Sequence, residues 1–471
     1  MNKLADINND FSQWYLDVVY QSELADQSPV RGCIVIRPYG YAMWERIVAR
    51  LDQRIKETGH QNASFPLLIP ESFLKREAQH VEGFAPELAV VTHAGGSELD
   101  EPLVVRPTSE TIIHYMFARW IQSWRDLPLK INQWSNVVRW EMRTRPFLRT
   151  TEFFWQEGHT AHETYDEALQ EAQLMLNEYV SLAHDYLAVP VIPGRKSETE
   201  KFPGADITFT YEALMHDGKA LQMGTSHIIS QSFAKAFNMQ YQDREGKQAY
   251  PYLTSWGSTT RLIGAVVMVH GDAKGLVLPP MIAPIQVVII PIFKKGTDNA
   301  VILDAAYAIK NSLPGMRVEI DHDDSKSPGS KFYKWELKGV PVRIEIGPRD
   351  IEAQVAIVTD RLDSQKRTIP FDQIGSVVQA LCVELQKTMF DRAYARMKSM
   401  WHTAEKLTDF GPQLQKNQGI YQVGFCGAAA CEGQLKQYQA TTRCRIEEHT
   451  ATVCFACDRA SVGDVLVAKA Y

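Results

Sequence analysis

The chain lacks a basic, apolar leader: Met1-Asn2-Lys3-Leu4-Ala5-Asp6 gives no expectation of a cleaved secretory signal. It has no run near the ~18 apolar residues of a membrane helix, and its richest stretch, Val287 to Phe293, is short and holds a proline. Positive charge is not in excess. With 50 Lys and Arg against 56 Asp and Glu, the net charge is −6, so nucleic acid would have to be held by local basic surface. Cysteine is scarce, 7 in 471 residues, and odd in number, which argues against a disulfide framework and fits a cytoplasmic protein. Internal repeats and low-complexity tracts are missing too. What is present, 45% hydrophobic and 23% charged residues, is ordinary globular composition. A chain of this length suggests about three domains.

Trp44, Ile47, Val48, Leu51 and Ile55 recur at spacings of three and four, so Gly40 to Thr58 reads as a helix stopped by Gly59. Phe65 to Pro70, Asn136 to Glu141, Thr151 to Trp155, Ile207 to Tyr211 and Ala220 to Met223 read as strands. Gly224-Thr225-Ser226 reads as a turn and N-cap for a helix carrying Ile229, Phe233 and Phe237. Strands interrupted by helices without regular alternation predict an antiparallel α+β core. After Pro279-Pro280 the pattern changes. Strand runs at Val287 to Pro291, Val318 to Ile320, Val342 to Ile346 and Val355 to Thr359 alternate with helices at Ala300 to Ser312 and Lys331 to Lys338, and a helix from Gly375 to Met389 follows. That predicts a small α/β domain. The expected division is 1–282, 283–398 and a metal-bearing cap over 399–471.

The most informative residues are Arg106-Pro107-Thr108-Ser109-Glu110, Arg139-Trp140-Glu141, and Arg149 through Glu152-Phe153-Phe154-Trp155-Gln156-Glu157-Gly158-His159. Guanidinium forks match phosphate and carboxylate oxygens, and a carboxylate is the natural partner of an ammonium. A site holding both a polyphosphate and a cationic amine needs that mixture. Downstream, Cys426-x4-Cys431 and Cys454-x2-Cys457 have the spacing of a closed four-thiolate zinc site, with Cys444 a spare between the pairs.

With those strings, Gly224-Thr225-Ser226-His227, and Ser255-Trp256-Gly257-Ser258-Thr259-Thr260-Arg261, the sequence resembles the prolyl-tRNA synthetase family of class II aminoacyl-tRNA synthetases from about Phe11 to Tyr471, in the form common in archaea and eukaryotes. A threonine-specific relative would need metal-binding Cys and His in its catalytic pocket, and Cys33 is the only cysteine before position 280. The resemblance implies a class II antiparallel-sheet catalytic domain, an α/β anticodon-binding domain and a small zinc-binding C-terminal domain. It also implies a homodimer, built by a first motif ending at Pro66, that ligates L-proline to tRNA(Pro) through prolyl-adenylate, using ATP and Mg²⁺.

Carried over by residue, Arg139 would bridge the proline carboxylate and the α-phosphate, and Arg261 would clamp the distal phosphates with Thr259 beside it. Glu141, Arg149 and Thr150 would hold ATP, Phe153 would stack on adenine, and Gln222 and Thr225 would contact the nucleotide, Gln222 near Mg²⁺. Thr108, Glu110, Trp155, Glu157, Phe202 and His227 would line the proline pocket. Glu336, Arg343 and Arg349 are candidates for reading anticodon bases. The segment Arg106 to Arg149, with eight Lys and Arg against three acids, would meet the tRNA acceptor arm, chiefly through Met142 to Arg145. Only 64 residues separate Glu157 from Gln222, which leaves no room for the editing domain that bacterial-type members insert there. Two departures from the family pattern stand out: Ser330 where tryptophan is common, and Ala273 where a second acid is common beside Asp272. Members of this form tend to end in tyrosine, as this chain does at Tyr471, and the resemblance implies that this residue packs near the active site.

Overall fold

The computed structural model describes residues 3–75, 88–293, 299–416 and 419–471. Among these, no helix is long and apolar enough to cross a membrane. An eleven-stranded sheet forms the backbone of the molecule. Its N-terminal part runs, edge inward, Gln61–Asn62, Leu129–Val138, Glu152–His162, Tyr252–Thr259, Ala220–Ser230, Ile207–Leu214 and Val191–Arg195, antiparallel apart from the parallel edge pair Gln61–Asn62.

Helix Pro38–Glu57 buries Met43, Trp44, Ile47, Leu51 and Ile55 on the face its spacing predicts. It ends where Gly59, at φ +88°, takes the left-handed turn that closes a helix without strain. This helix, Tyr165–Ser181 and Arg261–His270 share one core with Trp14, Tyr179, Tyr211 and Trp256. Each such large apolar side chain contributes about 1.5–3 kcal/mol by leaving water.

Several elements differ from the sequence reading. Strand Leu129–Val138 stops before Arg139, and its partner runs on to His162, so Arg139, Trp140 and Glu141 start a loop instead of ending a strand. Of Phe65 to Pro70 only Leu68–Pro70 is strand. The largest correction is at Gly224-Thr225-Ser226. There is no turn: strand Ala220–Ser230 passes straight through, and the helix beyond is only Ser232–Ala236, led by Gln231. Thr225 therefore caps nothing. Gly224 stays in the ladder because a Cβ there would lie 2.7 Å from Gly257 O and 2.8 Å from the Tyr211 ring.

The α/β unit is a five-stranded mixed sheet in the order Val318–Ile320, Val287–Pro291, Val342–Ile346, Val355–Asp360, Lys366–Pro370, the first three parallel. Its closing strand Lys366–Pro370 was not expected, and the helix after it extends over Ile374–Ser399. It docks on the core around the large sheet at Asp272, whose carboxylate receives both ends of the Arg361 guanidinium at 2.7 and 2.8 Å while its carbonyl accepts from Trp14 Nε1. The C-terminal strands Trp401–Thr403, Ile420–Phe425, Gly463–Ala468 and Thr441–Arg445 do not form a sheet of their own. They extend the large sheet, joined at the register pair Arg445 and Arg195.

Candidate active site

A cavity of about 320 Å³ opens over the centre of the large sheet. All fifteen candidates for proline and ATP line it, although they come from six separate stretches of chain. The sheet register explains the convergence. Glu157 pairs with Gly257, Trp155 with Thr259, and Thr225 with Gly257, so alternate side chains of three neighbouring strands share one face.

Arginines gather on one side. Arg261, at the start of its helix, is half-buried and donates through Nε to Leu148 O and through Nη1 to Gln222 O, both at 3.0 Å. Burial, with Arg139 and Arg149 nearby, lowers its pKa to about 10, so it stays cationic at neutral pH. Two backbone carbonyls thus aim the guanidinium, and its remaining N–H groups are available to a ligand. Thr259 Oγ1 accepts from Arg261 N. Arg139 Nε donates to Pro107 O at 3.0 Å, and its guanidinium lies 5.5 Å from the ring centres of both Phe153 and Trp155. Across the loop Glu141 pairs with Arg149 at 2.6 Å, and Thr150 Oγ1 donates to Glu152 O.

Acids occupy the other side. The buried Glu157 carboxylate accepts from Ser109 Oγ (2.5 Å), Ser109 N (3.2 Å) and Gln133 Nε2 (2.8 Å), and pairs with His159 at 3.0 Å. Burial opposes ionisation, but the His159 contact and the Ser109 and Gln133 donors hold its pKa below the usual range. Burial likewise opposes the His159 cation, and Glu157 with Glu110 outweighs it and raises the imidazole pKa. Thr108 Oγ1 donates to the buried Glu110 carboxylate. His227 is hydrogen-bonded on both ring nitrogens, to Thr208 (3.0 Å) and Thr225 (2.9 Å), and its ring lies 4.7 Å from Phe202. Burial pushes its pKa down to about 3, so it is neutral. Trp155 Nε1 reaches Ser135 Oγ, which leaves its ring as an apolar wall.

Other sequence expectations fall elsewhere. Arg106 is buried and spends its guanidinium on Asn136 O and Phe65 O, away from the cavity. Arg145 is held between the Tyr15 and Tyr471 rings and donates to Ser12, whereas Met142 and Arg143 are exposed. Tyr471 does not line the cavity. Its hydroxyl donates to Asp217 at 2.6 Å. Glu336 and Arg343 share a small cleft of the α/β unit, while the exposed Arg349 is not part of it. Ser330 sits in the first turn of helix Pro328–Leu337, its N–H received by Ser327 Oγ.

The wall also includes Lys196, Glu200 and Lys201, which the sequence reading passed over. Their run of alternating charge looks like a solvated loop, and only the adjacent Phe202 signalled the place.

The sulfurs of Cys426, Cys431, Cys454 and Cys457 lie within 4.8 Å of one another, with Cys426 3.8 Å from Cys431 and 3.7 Å from Cys457. A tetrahedral site with metal–sulfur bonds of ~2.3 Å has sulfurs ~3.8 Å apart, so the four thiols fit one metal ion. All seven cysteines are unbridged, and Cys444 is buried outside the cluster.

Residues 91–270 match the family model of the class II tRNA synthetase core domain (G, H, P, S and T), 286–381 that of the anticodon binding domain, and 407–471 that of the prolyl-tRNA synthetase C-terminal domain. Proline–tRNA ligase of Acetoanaerobium sticklandii is 51% identical over 473 residues, covering 99% of this chain and 98% of its own. That of Alkaliphilus oremlandii is 50% identical over 466 residues, covering 98% and 96%. Among solved structures, prolyl-tRNA synthetase of Cryptosporidium parvum superposes with a TM-score of 0.95 in its complex with halofuginone and AMPPNP, at 40% identity and 99% coverage of both chains. Its complex with L-proline and AMP gives 0.93 at 39% identity, again with 99% coverage of both chains. With this likeness spanning the core, the anticodon unit and the C-terminal unit alike, the chain belongs to the prolyl-tRNA synthetase family, class II enzymes that ligate proline to tRNA.

Proposed function

We propose that the cavity activates L-proline with ATP and passes the prolyl group to tRNA(Pro), with residue roles as follows. One observation carries the reading: a single cavity joins an arginine cluster to two buried carboxylates, Glu110 and Glu157. The ring nitrogen of proline, a secondary ammonium, is received by Glu110 and Thr108, and its ring packs on Trp155 and Phe202. Arg139, aimed by Pro107 O, reaches both the proline carboxylate and the α-phosphate, and so brings the attacking oxygen to phosphorus. That oxygen bonds to the α-phosphorus as pyrophosphate leaves. Arg261 and Arg149 hold charge on the departing phosphates, Phe153 offers its face to adenine, and Gln222 and Thr225 flank the nucleotide. In the second step a ribose hydroxyl of the tRNA attacks the acyl carbon and AMP leaves.

Gln222 supplies an amide oxygen on the cavity wall, a donor suited to Mg²⁺, which neutralises phosphate charge when bound. The four-cysteine cluster takes Zn²⁺; with every position filled by protein, that zinc is structural. Exposed Met142 and Arg143 face the acceptor arm, and the Glu336 and Arg343 cleft, with Arg349 beyond it, faces the anticodon. Tyr41 is exposed on helix Pro38–Glu57 of the first motif, and Leu67 and Leu68 are exposed just past its end, which supports a homodimer covering this surface. The unbridged thiols fit a cytoplasmic setting.

Proline-dependent ATP–pyrophosphate exchange followed by charging of bulk tRNA tests the reading, and absence of exchange would refute it. Residues 158–221 are fully occupied by sheet strands, helix Tyr165–Ser181 and their loops. The pure protein is therefore expected to leave alanyl-tRNA intact, and measurable hydrolysis would contradict this.

A further inference from the structure

Part of the cavity wall is tied to the C-terminal unit. Ser197 O accepts from Glu200 N (3.2 Å) and Lys201 N (3.0 Å), closing a tight turn from which Glu200, Lys201 and Phe202 line the cavity. The other side of this turn is bound by Glu432. One carboxylate oxygen accepts from Ser197 Oγ at 2.7 Å and from Thr442 Oγ1, and the second accepts from Thr199 Oγ1. Glu432 is 7% exposed and Ser197 4%, so water does not readily replace the bond between them, while Thr199 holds the second oxygen from the exposed side of the turn. Directly beside them Lys196 pairs with Glu212 at 2.9 Å, and Arg443 of the C-terminal unit grips the same carboxylate at 2.8 Å. Glu432 itself does not line the cavity. It follows Cys431 on the short helix Ala429–Gly433, so it stands directly beside the cysteine cluster.

We propose that Glu432 is a positioning residue: by holding Ser197 and Thr199 it fixes the turn that shapes the proline side of the cavity, and so sets affinity for the amino acid. This rests on the assignment of the cavity to proline and ATP. A buried carboxylate with three hydroxyl donors is a stiff anchor, and two of those donors belong to the turn. Removing it frees the turn while the arginine cluster, held by Pro107, Leu148 and Gln222, keeps its place.

The test is steady-state pyrophosphate exchange by full-length Glu432→Ala, Glu432→Gln and Thr199→Val, with proline and ATP varied separately. Glu432→Ala is expected to raise the proline KM at least tenfold, about 1.4 kcal/mol, with kcat and the ATP KM within threefold of wild type. Glu432→Gln keeps an acceptor and is expected to restore most of the affinity. Thr199→Val, which breaks the same tie from the turn, is expected to raise the proline KM, and the double variant to be less than additive. An unchanged proline KM in folded Glu432→Ala would overturn the proposal, as would a uniform loss across kcat and both KM values. Should Glu432→Ala fail to fold, Thr199→Val decides alone, and an unchanged proline KM there overturns the proposal. Wild-type protein without exchange would refute the cavity assignment instead.

Discussion

Replacing Arg139 by alanine separates catalysis from folding. In the folded chain its guanidinium donates a charge-assisted bond to Pro107 O at 3.0 Å and sits 5.5 Å from two aromatic ring centres. Such a bond contributes about 1.5–3 kcal/mol, and cation–π contacts at half-buried groups about 0.5–2 kcal/mol each. Their loss is tolerable against a typical stability of about 5–15 kcal/mol. In the proposed reaction the same group would sit on charge that moves from the proline carboxylate to phosphorus and would span both substrates, and losing one such donor lowers kcat about 10²–10³-fold. Arg139→Ala is therefore expected to fold, with a cooperative melt near wild type, and to lose at least that factor in proline-dependent exchange. Because of that span, kcat/KM is expected to fall for proline and ATP together. Arg139→Lys keeps the charge without the planar fork and is expected to fall between the two. Exchange within threefold of wild type in folded Arg139→Ala would refute the role given to this residue.

Elemental analysis is expected to find one zinc per chain, lost in Cys431→Ala and kept in Cys444→Ser; zinc persisting without Cys431 would remove the four-thiolate site. Burial lowers the pKa of His162 to about 4 and of His227 and His270 to about 3. Each stays neutral when folded but takes up a proton when unfolded below about pH 6.5, so this stability is full above that pH and is lost as pH falls toward 4. The loss is up to about 1.4 kcal/mol per pH unit for each histidine. Urea midpoints are expected to drop from pH 7 to pH 5, less steeply in His270→Gln, and an unchanged slope in that variant would contradict the burial argument. A Cβ on Gly158 would lie 2.0 Å from the buried Trp256 ring, so Gly158→Ala is expected to lower stability by at least about 1–3 kcal/mol. A wild-type thermal midpoint there would show that the ring can move aside.

The site was legible because its chemistry sits in contiguous strings. Arg139, Glu141 and Arg149 are close in sequence, as are Thr108 and Glu110, and all five reach one cavity. Secondary structure was harder at the same place. Gly224-Thr225-Ser226 looks like a loop because polar residues usually face water. Here Thr225 and His227 face the cavity and Ser226 Oγ donates to Ala172 O, so a central strand carries polar side chains on both faces. Hydrophobic periodicity cannot see a strand whose inner face lines a polar cavity. The tie between Glu432 and Ser197 was invisible for another reason: it joins residues 235 apart through two short polar side chains.

A sheet completed by the last strands of its own chain imposes an order on assembly. While the ribosome is still making the C-terminal segment, the strand Val191–Arg195 is an open edge, and Glu212 has Lys196 but not Arg443. An edge in that condition invites pairing with other chains. A nascent chain cut short after Ser399 therefore keeps every residue that lines the cavity yet presents an unfinished, adhesive border, which makes such fragments candidates for aggregation and not for partial enzymes.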